Sequence, residues 1–219
     1  MSRFGASTAS PRAPIVPEAL PEVLFDLESE DLHEKVMFAD ADLSGVFAQS
    51  VEFGQVRFRS ARLAGATLPK VRLTDCVVER SDWSNLRAEN ATMERVALTG
   101  CRMTGLAWNG GLLRDVTITD SKIDLTNWRM ARFDAVALTG CNLTGADFAN
   151  ADLRGARFTD CDLTGAQFSG ATMQGARFER CELAGIGGIT SWTGAIVHPD
   201  DLIGLSYVLA GALGIVVRS

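Results

Sequence analysis

The chain has 219 residues, 47% of them hydrophobic, and a formal net charge of −6 from 21 basic and 27 acidic side chains. That balance argues against the basic footprint of a nucleic-acid-binding surface, and no apolar run is long enough to span a bilayer as a helix. Two histidines outside any metal-ligand spacing, five cysteines without a CxxC pair, and no phosphate-cradling glycine motif leave no constellation for catalysis, a metal or a cofactor.

Residues 1–25 contain Pro11, Pro14, Pro17 and Pro21 and little periodicity, and read as a disordered N-terminal tail. They hold neither the apolar run of a signal peptide nor a lipidation motif, so a reducing cytoplasm is the expected setting. From 26 to 34 the chain is acidic, and Leu27 and Leu32 hint at a five-residue phase; this stretch reads as an N-terminal cap or an imperfect first coil. Ten acids face one base, Lys35, between Glu18 and Glu52.

From Phe38 to Leu183 every residue whose number ends in 3 or 8 is the centre of a five-residue unit, and the residue two places earlier is mostly Ala, Val, Cys, Ser or Thr. Core positions are therefore expected at Phe38, Leu43, Leu138, Leu143, Phe148, Leu153, Phe158, Leu163, Phe168, Phe178 and Leu183. Neither a helix, with period 3.6, nor a flat strand, with period 2, keeps such a phase. A second period of 20 aligns ALTGCRMTGL (97–106), ALTGCNLTGA (137–146) and RFTDCDLTGA (157–166), so four units make one turn of a four-sided coil. Residue n should stack on residue n+20 through parallel ladder hydrogen bonds.

The units ADLSG (41–45), CNLTG (141–145), ADLRG (151–155) and CDLTG (161–165) resemble the pentapeptide-repeat family. The resemblance implies an all-β, right-handed quadrilateral parallel β-helix over 26–185, with the centre and the small residue inside. It also implies what some members do: they dimerise through a C-terminal helix, mimic the shape and charge of DNA, bind DNA gyrase or topoisomerase IV, and give fluoroquinolone tolerance. Fold alone does not specify function.

Between Phe53 and Ala135 thirteen bases outnumber nine acids, and Asp42, Arg62, Asp82 and Arg102 alternate in sign along one 20-residue column. A mixed surface speaks against a uniformly acidic DNA mimic. Carboxylates expected to face a partner are Asp40, Asp42, Glu52, Asp147, Asp152 and Asp162. Thr99, Thr119, Thr139 and Thr159 share an outward column that could form a hydroxyl ladder. Cys101, Cys141, Cys161 and Cys181 share an inward one, where thiols at coil spacing could pair or hold a soft metal, or simply serve as small buried hydrophobes.

Beyond Leu183 the phase fails, and 186–219 reads as a C-terminal cap with Ile186, Ile189, Trp192 and Ile196 covering the open coil. A short α-helix should start near Pro199 and end at Gly214. It is apolar nearly all round, so a homodimer through Leu202, Leu205, Leu209 and Leu213 is expected. The sequence thus reads as a non-enzymatic protein-interaction module, either a DNA-like modulator of a type II topoisomerase or a scaffold for an unrelated protein partner.

Overall fold

The structure is a computed structural model and describes residues 9–23 and 26–216. Its strands, in chain order, are β1 (Leu32–Glu34), β2 (Met37–Ala39), β3 (Glu52–Gly54), β4 (Arg57–Arg59), β5 (Arg72–Glu79), β6 (Thr92–Thr99), β7 (Leu112–Thr119), β8 (Arg132–Thr139), β9 (Arg157–Thr159), β10 (Arg177–Glu179) and β11 (Ile196–Val197). Most pairs join residue n to residue n+20 in parallel, as in Leu32↔Glu52, Arg72↔Thr92 and Leu138↔Phe158. Isolated rungs such as Asp42↔Arg62 and Phe47↔Thr67 complete the other two sides. The result is a right-handed quadrilateral parallel β-helix of about eight coils, closed by one short helix, α1 (Leu202–Ala212).

The first side carries the centres Phe53, Leu73, Met93, Leu113 and Phe133, and the second Phe58, Val78, Leu98, Ile118 and Leu138. The third carries Leu63, Trp83, Met103, Ile123 and Leu143, and the fourth Leu68, Ala88, Trp108, Trp128 and Phe148; all are buried. Every core position expected from the sequence is buried too. Rings stack directly at the 20-residue period: Phe38 on Phe58 at 5.2 Å, Phe148 on Phe168 at 5.2 Å, Phe158 on Phe178 at 4.9 Å. Each buried centre removes apolar surface worth about 1.5–3 kcal/mol from water. In one coil Trp83 shares the interior with Ala88, and the large ring occupies the space that the small residue leaves.

Each corner turns on one residue whose number ends in 0 or 5, and from Lys35 to Gly185 all of these have positive φ. Glycine takes this conformation without strain, yet Arg95, Leu125 and Met130 take it as well. Left-handed backbone costs an ordinary residue about 1–2 kcal/mol. Against that cost, most corners gain a bond to the next coil, as where the Asp40 N–H donates to the Arg59 carbonyl at 2.9 Å.

The phase of centres extends one unit before Phe38, with a residue the sequence analysis did not select. Leu27 is buried, but Leu32 is exposed, and His33 takes the inward position. Its ring stacks on Phe53 at 5.4 Å and meets Phe38 edge-on at 5.5 Å. At the other end Ile186 and Trp192 are buried, Trp192 stacking on Phe178 at 4.4 Å, whereas Ile196 is half exposed on β11. Gly188 stands where the next centre would fall; a Cβ there would strike the backbone of Phe168 and Ser169.

The N-terminal stretch departs from expectation. Residues 1–8 and 24–25 lie outside the described residues, but 9–23 are laid along the solenoid rather than disordered. The Val23 N–H donates to the Met37 carbonyl at 3.0 Å, and the Met37 N–H donates to the Pro21 carbonyl at 2.9 Å. Carboxylates and amides at the corner between the first and second sides bind the rest of the segment.

The cysteines are all free and buried. Cys101, Cys141, Cys161 and Cys181 share a column with Ser81, Ser121 and Asp201, and those three supply oxygen acceptors to backbone N–H groups that the coil ladder leaves over. The Ala61 N–H donates to Ser81 Oγ at 3.1 Å, the Cys101 N–H to Ser121 Oγ at 3.0 Å, and the Cys181 N–H to Asp201 Oδ1 at 3.0 Å, each residue n reaching n+20. The Cys161 thiol in turn donates to the Thr159 carbonyl at 3.3 Å, as the Ser121 hydroxyl does to Thr119 at 2.8 Å. Burial pushes the Cys76 thiol up to about 12, so it stays protonated and able to donate.

Two outcomes are expected. Cys161→Ser should stay within about 1 kcal/mol of the parent in chemical denaturation, whereas Cys161→Ala should lose about 1–3 kcal/mol through unpaired buried backbone groups. Burial holds the His33 imidazole below its usual 6.5, with Asp31 opposing from 3.6 Å. The unfolded chain therefore takes up a proton before the folded one does, and stability should fall as pH drops below about 6.5. His33→Phe, which restores the commoner core ring, should flatten thermal melting between pH 7.5 and 5.

Candidate interaction surface

A β-helix interior filled with apolar centres leaves chemistry to its outer faces. Among the described residues no group of His, Cys, Asp or Glu is placed to hold a metal ion, and no helix is long and apolar enough to cross a membrane. The outer faces differ because each unit turns two side chains outward from its strand and one from its corner.

The expected partner carboxylates do not form one surface. Glu52 and Asp152 lie on the first side five coils apart, Asp42 and Asp162 on the third, Asp147 on the fourth, and Asp40 at the corner entering the third. Four of them serve the coil itself. Asp42, Asp147, Asp152 and Asp162 each accept the backbone N–H two residues on, from Ser44, Ala149, Arg154 and Thr164. This local bond is the reason Asp and Asn favour the position before the centre: it fixes the turn that follows.

Most of their charge is also compensated. Asp42 meets Arg62 at 2.9 Å, Asp147 meets Arg129 at 2.9 Å, and Asp152 is held by Arg154 at 2.6 Å. Glu52 and Arg72 lie 3.8 Å apart. Hydrogen bonds from Ser44, with Arg62 nearby, hold the Asp42 carboxyl below its usual range. The alternation read from the sequence is a physical arrangement, since Asp42↔Arg62, Arg62↔Asp82 and Asp82↔Arg102 are successive rungs. Like charges stacked at coil spacing would repel, and opposite ones do not.

The second side is different. Over β5 to β8 its outward positions hold Val77, Ala97, Thr117 and Ala137 in one column, and Thr99, Thr119 and Thr139 in the other. Thr159 on β9 continues the hydroxyl column beside Thr139. No charged side chain stands on these columns from Ala97 to Thr139, so three coils present a weakly polar sheet face. Arg57, Arg59 and Glu79 border it below, and Arg157, Arg177 and Glu179 above.

The helix after the last coil divides the expected interface residues. Leu205 is buried against the solenoid end and so belongs to this chain's own core. Leu202, Leu209 and Leu213 are exposed, and Ile203 and Tyr207, which the sequence analysis did not select, are exposed beside them. Nearly every helix position is apolar, so no polar face in the sequence marked which stripe turns inward.

The family model described as a pentapeptide repeat region matches residues 51–128 and 122–187, more than half of the chain. The chain belongs to the pentapeptide-repeat family. Members are generally non-enzymatic structural or interaction modules. Similar solved structures include a trypsin-treated form of QnrB1, a plasmid-mediated fluoroquinolone resistance protein, at 19% identity over 91% of this chain and 97% of that one, with a TM-score of 0.35. HetL, a pentapeptide repeat protein involved in heterocyst differentiation regulation in the cyanobacterium Nostoc, is 18% identical over 77% of this chain and 85% of its own, with a TM-score of 0.31. Likeness at this level does not bear on function. No sequence match is found among curated proteins.

Proposed function

We infer that the chain is a non-enzymatic protein-interaction module of the cytoplasm that captures a protein partner on the second side of its β-helix. The observation that carries this is the contrast between faces. Many charges on the other sides are paired or used to fix turns, while the second-side halves of β6 to β8 offer an uncharged face of Ala and Thr that costs little to desolvate. A homodimer through α1 accompanies it, because Leu202, Ile203, Tyr207, Leu209 and Leu213 are exposed together on one short helix.

A second reading, a DNA-mimicking modulator of DNA gyrase or topoisomerase IV, draws on one feature. On the third side Asp162 and Glu182 are successive rungs without an intervening base, close to α1, so a dimer joined there would bring two acidic stretches together. The run covers only two coils, and the column below it carries Arg62, Arg102 and Lys122. A groove that binds DNA would require negative potential along much more of the rod.

Two measurements separate these readings. In a gyrase supercoiling assay with and without a fluoroquinolone, low-micromolar protein should neither inhibit nor protect; inhibition abolished by Asp162→Lys with Glu182→Lys would favour the second reading instead. Light scattering should give twice the monomer mass for the native chain and a monomer for Ile203→Asp with Tyr207→Asp. A native monomer would end the dimer assignment.

A further inference from the structure

The corner between the first and second sides carries a peptide, and the peptide is the chain's own N-terminal segment. Its residues Gln55, Asp75, Arg95 and Asp115 form one column. Arg12 is clamped there: its backbone N–H donates to Asp115 Oδ1 at 3.1 Å, and its Nε and Nη2 donate to Oδ2 at 2.8 and 2.6 Å. Three residues on, the Ile15 N–H donates to Asp75 Oδ1 at 3.1 Å, and its carbonyl accepts from Gln55 Nε2 at 3.0 Å. Above and below, Arg157 donates to Ser10 Oγ at 3.2 Å and Arg59 to Glu22 at 3.2 Å.

The match of spacings is physical. Pro11, Pro14 and Pro17 recur every third residue, fix their own φ, and push the residue before each toward extended backbone. Three residues of polyproline II rise about 9.3 Å, and two coils rise about 9.6 Å, so Asp75 and Asp115, two coils apart, meet the same face of the segment. Prolines have no N–H to lose, and the amides that follow Pro11 and Pro14 are the two that the carboxylates receive. Arg95 fills the intervening coil and holds Asp75 in place from both Nε and Nη2. Those bonds hold Asp75 below the usual carboxylate range. Burial alone would push Asp115 up, but the Arg12 hydrogen bonds keep it low as well. The Asp115 side chain is 7% exposed while Arg12 is 66% exposed, so the pocket belongs to the solenoid and the arginine is the inserted group.

We propose that this corner is a binding rail for an extended, proline-rich, arginine-bearing peptide segment of a partner protein, and that residues 9–23 are a resident strap which occupies the rail until displaced. The rail reads an arginine at one coil and a free amide two coils below, with proline tolerated between them. The proposal deepens the interaction-module reading and rests on it. Partner capture on the second side can fail without altering the assay below, which reads the corner alone.

The test uses the full chain and a fluorescent synthetic peptide of residues 9–19. Arg12→Glu reverses the charge that meets Asp115 and touches no residue of the solenoid interior, so the Ile15 amide should lose protection in hydrogen exchange. Fluorescence anisotropy should then show the peptide binding the Arg12→Glu chain about ten-fold or more tighter than the native chain, whose rail is occupied for most of the time. Adding Asp115→Asn should abolish that binding; asparagine suits the positive φ at this corner, so the coil should keep its fold by circular dichroism. Equal peptide binding by native and Arg12→Glu chains, binding that survives Asp115→Asn, no binding to either chain, or unchanged protection of Ile15 would each overturn the proposal.

Discussion

The corner is the constraint on which the rest of the structure depends. Four sides of five residues close into a coil only if the backbone turns sharply after each centre, and it does so by holding one residue in the left-handed region at every corner from Lys35 to Gly185. That conformation is unfavourable for most of the side chains that occupy it, and it persists because most corner N–H groups bond to the coil above. A single coil could not offset the cost. Stacked coils supply the bonds and the apolar interior together, so order in one coil depends on its neighbours.

Register follows from the same dependence. A coil displaced by one residue would turn Phe148 or Leu143 outward, and a coil displaced by one unit would separate Phe158 from Phe178, which stack at 4.9 Å. The column from Ala61 to Asp201 adds a polar lock to this apolar one, because hydroxyls and finally a carboxylate receive N–H groups along it while the thiols donate to carbonyls. Asp201 is in this sense a substitute for the next coil: it lies twenty residues after Cys181, in the helical cap, and takes the bond that another Ser would take.

The five-residue phase was legible because burial of one side chain per unit leaves a direct trace in the sequence. The inward residues followed from it, the four-sided coil from the period of twenty above it, and the short terminal helix from Pro199 and Gly214 at its ends. Features that rest on hydrogen bonding rather than apolarity were less visible. His33 replaces a hydrophobic centre, and the phase of Leu27 and Leu32 could not reveal it. Asp42, Asp147, Asp152 and Asp162 looked available to a partner until their bonds to backbone amides two residues on were seen, although the recurrence of Asp or Asn before the centre was itself the signal. The N-terminal prolines suggested absence of order because their usual signature is composition; their spacing of three, set against coils repeating every twenty residues, held the information about where they dock.

The central claim is that columns at a spacing of twenty residues, and not merely units of five, define the molecule. Excision tests this most directly. Deleting residues 141–160 removes one whole coil and rejoins every column, including Ser121 to Cys161 and Leu138 to Phe178. Deleting residues 141–150 keeps whole units but turns the upper coils by two sides and breaks every column. The account predicts that the first variant retains a single cooperative thermal transition with a modest loss of stability, and that the second melts at much lower temperature or without cooperativity. Equal melting of the two variants would contradict it, since five-residue units alone would then suffice.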